Sequence, residues 1–159
     1  MDLATLTDEI LPGSGQSTEF RLFTLSVVLV ILAHAVVDAL CTVSTLFHVE
    51  RLKFFSTLYP SLFLHSYVRD DPLINRLVIY ASTAMSLVRV MAVVTPFNAP
   101  IMTLVGVMYS LEGLICMYEL DTAHTANATV ATRAIMSATF MTVVCFAHAL
   151  LSWAFVTGG

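Results

Sequence analysis

The chain alternates long apolar runs with short polar breaks. Four runs reach membrane-spanning length: about Phe20–Val43, with a helix continuing to His48, then Ile74–Thr95, Ile101–Leu120 and Thr129–Val156. A transmembrane helix needs about 20 mostly apolar residues. The pattern therefore predicts an all-α fold, an integral membrane four-helix bundle. Its spans are expected at about 20–48, 73–95, 101–120 and 129–156, in a single domain over 20–159.

The breaks are as informative as the runs. Residues 1–19 form a polar lead-in with Asp2, Asp8 and Glu9 and a turn-forming Pro12–Gly13–Ser14–Gly15 cluster. This stretch has neither the basic start of a cleavable signal nor the Arg-rich make-up of a transit peptide, so targeting is expected from the first span or an internal signal. Residues 50–72 make the one substantial loop. Arg51 and Lys53 precede an aromatic and aliphatic stretch, Phe54–Tyr67, broken by Pro60. That composition predicts a segment lying in the membrane interface or docking on a partner. Asp70 or Asp71, before Pro72, is the expected cap of the second helix. The second and third runs are joined by the tight turn Pro96–Phe97–Asn98–Ala99–Pro100.

Composition sharpens the class. The chain is 58% hydrophobic and 11% charged, with a mean hydropathy of +0.86. Soluble domains carry about 45–50% apolar and about 25% charged residues, so composition by itself assigns an integral membrane protein. Four spans leave little chain for a soluble catalytic domain. The net charge of −4 provides no basic footprint for nucleic acid. Cys41, Cys116 and Cys145 all fall in apolar runs without metal-ligand spacing and read as small buried hydrophobes.

Candidate chemistry is confined to polar residues inside the runs. Arg76, Arg89, Glu112 and Glu119 lie in the second and third. A charge in a hydrocarbon span costs roughly 2.5–3.5 kcal/mol on insertion scales, so it faces a bundle interior, a partner or the interface. Two cations on one helix and two carboxylates on the next lower that cost by pairing. Arg89 is expected to pair with Glu112 or Glu119, while Arg76, near a span end, reaches the headgroups. His34 and Asp38 stand at i and i+4 in the first run and predict a buried hydrogen-bonded pair. A proton-relay role is the next alternative, and a haem or metal role would need further ligands, of which His148 could supply one. Hydrolase, zinc-protease, phosphate-loop and dinucleotide motifs are missing from the sequence, as are the clustered histidines of membrane di-iron oxidases. The expectation is no enzyme, no cofactor and no metal.

The same residues carry a family resemblance. Arg76 and Arg89 stand thirteen positions apart, followed by Asn98, then Tyr118–Glu119–Leu120, then Thr125. This order resembles the central block of the ergosterol-biosynthesis protein twenty-eight family. There an Arg in an ART-F-x-x-W stretch is followed by a second Arg, a turn Asn, a SEL glutamate and a Thr. The chain departs from that pattern at Val78 and Ala81, which replace its aromatics, at Ile115, which replaces its His, and at Tyr118, which replaces its Ser. The resemblance covers about the central third of the chain. It implies a four-span scaffold at the endoplasmic reticulum that holds together sterol-demethylation enzymes: a methyl oxidase, a decarboxylating dehydrogenase and a ketoreductase.

Arg51, Lys53, Arg69, Arg76 and Arg133 gather on the side of the 50–72 and 121–128 loops, while Arg21 and Arg89 lie toward the other. The positive-inside rule predicts that the first side faces the cytosol, or the matrix in a mitochondrion. The sequon Asn127–Ala128–Thr129 lies on that side and is expected to stay unmodified. Trp153 is the expected interfacial anchor of the fourth span. Ala35/Ala39 and Ala134/Ala138 supply spacing for close helix approach. Expected partners are other integral membrane proteins and membrane lipid, with a sterol or an anionic phospholipid as candidates. The alternatives are an accessory subunit of a mitochondrial inner-membrane respiratory or ATP synthase complex and, third, a small carrier or channel.

Overall fold

The computed structural model describes residues 17–47, 51, 72–123 and 128–157. They form four helices: α1 (Thr18–Phe47), α2 (Pro72–Val94), α3 (Ala99–Ala123) and α4 (Ala128–Thr157). At 1.5 Å per residue these are about 35–45 Å long, more than the roughly 30 Å of a hydrocarbon core. Each helix begins and ends within a few residues of the expected position. The expected interfacial segment 54–67 and the caps Asp70 and Asp71 lie outside the described residues.

Three helices, α1, α3 and α4, hold apolar stretches long enough to cross a membrane. Among the described residues, α2 has a continuous apolar stretch over Ile79–Val94. Arg76, in the first turns of α2, is exposed. The protein is a multi-pass helical membrane protein. Only 33%, 33% and 28% of the three long spans is buried inside the bundle, so most of each span faces outward. The outward side chains are large and apolar, among them Leu29, Leu87, Leu114, Met136, Phe140 and Leu150. Water would not tolerate so continuous an apolar surface; lipid does.

The inward stripes run at helical spacing. On α3 they are Met102, Val105, Tyr109, Glu112 and Cys116; on α4, Ala131, Ala138, Met141, Cys145, His148 and Ser152. Small residues line these stripes and let backbones approach, the usual solution where lipid supplies no hydrophobic drive between helices. A Cβ on Gly106 would stand 3.4 Å from Cys145 and Phe146, and one on Gly113 would stand 3.4 Å from the Ala138 Cβ. Both glycines sit on the α3–α4 seam. α1 packs closely on α2 and α3 closely on α4, whereas α2–α3 and α1–α4 meet more loosely. The core is therefore two intimate helix pairs joined across a thinner junction.

Polar residues scattered on the spans are absorbed by their own helices. Thr45, Thr83, Thr95 and Thr103 each return a hydroxyl to the carbonyl four residues back, at 2.7–2.9 Å. The ends are capped by side chains that could be read from sequence position. Ser17 Oγ accepts from Phe20 N–H at 3.3 Å, and Asn98 Oδ1 accepts from Ile101 N–H at 3.2 Å. Pro100, in the first turn of α3, has no N–H to leave unsatisfied.

Candidate functional site

The loose junction between the helix pairs is where the charges meet. Arg89 of α2 is 2% exposed. Its Nη1 donates to Asp38 Oδ2 of α1 and its Nη2 to Glu112 Oε1 of α3. Both contacts are ion pairs. Tyr109, one turn before Glu112, lies with its ring centroid 4.6 Å from the guanidinium carbon, a cation–π arrangement. The Tyr109 hydroxyl in turn meets His34 Nδ1 at 2.5 Å. One arginine thus ties three helices together through two carboxylates and an aromatic face.

Local sequence explains the convergence. Asp38 follows Ile31 and Ala35 on the inward stripe of α1, and Ser82, Arg89 and Ala92 share the inward stripe of α2. The α1–α2 seam carries two further polar ties beside the ion pair. Ser86 Oγ donates to the Ala35 carbonyl at 3.1 Å, and Thr42 Oγ1 meets Ser82 Oγ at 2.8 Å. These fix the register that brings Arg89 level with Asp38. A guanidinium is suited to this place because its planar fork presents two nitrogens to two separate carboxylates.

A second polar layer lies toward the helix ends at residues 18 and 157. His148 Nε2 meets Thr24 Oγ1 at 2.9 Å and its Nδ1 meets Ser152 Oγ at 3.3 Å. The Thr24 hydroxyl proton is directed to the Phe20 carbonyl at 2.9 Å, so His148 donates through Nε2 and accepts through Nδ1. Phe20 and Phe23 stack on the imidazole at centroid distances of 5.2 and 5.8 Å. Phe155 and the turn residue Phe97 close on Phe20 at 5.0 and 6.1 Å. This layer pins α1 to α4 and to the α2–α3 turn.

The sequence-derived candidates separate into three groups. Arg89, Glu112, Asp38 and His34 come together in this one cluster. Arg89 reaches Glu112 as one of its two expected partners, and also Asp38, which the sequence reading had tied to His34. Asp38 and His34 each engage another helix, Asp38 through Arg89 of α2 and His34 through Tyr109 of α3. Asn98 caps α3. Arg76 is exposed at the start of α2, and Glu119 lies in the last turns of α3 among residues whose side chains are not described. His148 joins its own layer, about ten residues along α1 from His34, and takes no part in the cluster. Sequence reasoning missed Tyr109, although its three-residue offset from Glu112 put it on the same face.

Among the described residues no group of three His, Cys, Asp or Glu side chains is disposed to hold a metal. The three cysteines are free and buried. A groove of about 280 Å³ runs along the α3–α4 seam, lined by Tyr109, Ser110, Gly113, Met117, Thr139 and Thr142 among others. The chain matches no family model, no curated protein and no solved structure.

Proposed function

We propose that this multi-pass membrane protein is a non-catalytic scaffold or accessory subunit that holds other membrane proteins together. One observation supports this reading above the rest. The intramembrane charges engage one another inside a single bundle, while the outer surface offers large apolar side chains from every helix. Such a bundle is tied together at its centre and offers apolar faces that suit docking against other helices. The Arg76, Arg89, Asn98, Glu119 and Thr125 skeleton points to a tether for sterol-demethylation enzymes at the endoplasmic reticulum.

Purification of the tagged chain in mild detergent, with mass spectrometry of the associated proteins, tests the reading. Recovery of a sterol methyl oxidase, dehydrogenase and ketoreductase is the expected result. A respiratory or ATP synthase complex at fixed stoichiometry would keep the scaffold role and replace the tether with an accessory subunit of the mitochondrial inner membrane. A lone monomer would overturn both.

A further inference from the structure

The α3–α4 seam carries a hollow on the outside of the bundle. Small residues open it, Ser110 and Gly113 on α3 and Thr139 and Thr142 on α4. Gly113 is buried at its floor, where a Cβ would already meet Ala138 at 3.4 Å. Leu114 and Val143 stand exposed at its rim. The hollow holds about 280 Å³. Its α3 wall, from Tyr109 to Met117, runs for about 12 Å at 1.5 Å per residue.

Size and chemistry select the occupant. A transmembrane helix is about 10–12 Å across, so it would cover a hollow of this size without filling it. Nor is the lining polar. The Ser110 hydroxyl donates to the Gly106 carbonyl at 3.1 Å and meets Thr142 Oγ1 at 3.3 Å, and the Thr142 hydroxyl donates to the Ala138 carbonyl at 2.8 Å. Those bonds turn both hydroxyls into the helices, and the surface left to the hollow is mostly carbon. The chain spans a membrane, so hydrocarbon stands against this face. An empty hollow there would forfeit dispersion contacts along its walls, whereas a flexible chain one methylene wide can enter it. We propose that the hollow is a binding site for one acyl chain of a membrane phospholipid, held longer there than lipid on the other outer faces. The site is independent of what those other faces bind.

Photolabelling of the full chain in phosphatidylcholine bilayers tests this. A minor share of the phosphatidylcholine carries a diazirine on one acyl chain, at several depths, so that position across the bilayer does not set the yield. Peptide mass spectrometry then locates the adducts. Leu29, Leu87 and Leu150 serve as controls, since at 56%, 61% and 66% they are about as exposed as Leu114 at 60%. Lipid that only solvates the bundle labels all four leucines alike. The site predicts several-fold more adduct at Leu114 than at any control. Thr139→Trp puts a ring into the hollow from its exposed side, and is expected to bring Leu114 down to the control level with the controls unchanged. Equal labelling of the four leucines in the wild type would overturn the proposal, as would an excess at Leu114 that survives Thr139→Trp. Less label at Leu114 than at the controls would overturn it too, and would mean that a second copy of the chain covers the hollow. The wild-type comparison decides even where the variant fails to fold.

Discussion

Arg89 donates one nitrogen to Asp38 and the other to Glu112, with the Tyr109 ring against its plane. Removing it strands two carboxylates in the bundle. Breaking a buried pair from one side costs about 3–5 kcal/mol, and Arg89→Leu is expected to reach at least that range in thermal or denaturant unfolding. Glu112→Leu should also weaken the bundle and its assembly, because it removes the tie between α3 and the α1–α2 pair. Glu112→Gln keeps the shape and leaves Asp38 to balance Arg89, so it should unfold close to wild type. If Arg89→Leu and Glu112→Leu both accumulate and co-purify with partners like wild type, the charge network is not what holds the helices. Half of this network was legible in sequence. Charges within apolar runs announce themselves, and Arg89 and Glu112 sit on adjacent helices. The contact between Asp38 and Arg89 was hidden because His34 at i−4 offered a partner nearer in sequence, while the register set by Ser86 and Thr42 brings Arg89 from α2 beside Asp38.

At the scale of the helix, ends and seams decide. Asn98 holds the first turn of α3 from a tight turn that also rests Phe97 on Phe20. Asn98→Ala is expected to destabilise by about 0.5–2 kcal/mol, read as a lower midpoint of unfolding in detergent. On the α3–α4 seam, Gly113→Ala should be tolerated, since its Cβ would meet Ala138 at ordinary contact distance, 3.4 Å. Gly113→Leu should separate α3 from α4 and lower stability clearly. Equal unfolding midpoints for the two variants would remove the close-packing argument. The helices themselves were easily read, because apolar runs of this length admit few alternatives. The inward stripe was harder to read. In a membrane both faces are apolar, so the hydrophobic contrast that marks the core of a soluble helix is lost, and Tyr109 and Thr24 drew no notice. Residue size carries part of the signal instead: Ala, Ser and Cys recur among the inward positions and most Leu face outward, although Met102, Met141 and Phe20 are buried as well.

The four described helices form a bundle that closes on the buried Arg89 and presents large apolar side chains on its outer faces. Its fold class follows from hydropathy alone. Its partners do not, since an outward Leu is equally at home against an acyl chain or another helix. The distribution of basic residues sets a separate expectation, that the Asn127 sequon faces the cytosol or matrix. A glycosidase-sensitive mass shift of the expressed chain would reverse that orientation. The most direct test of the scaffold claim places a photo-crosslinking amino acid at outward positions on each helix, such as Leu29, Leu87, Leu114 and Phe140, in native membranes. The account predicts that at least one helix face gives a discrete crosslink to a defined membrane protein, while its neighbours label lipid. Lipid adducts alone from all four faces would contradict it.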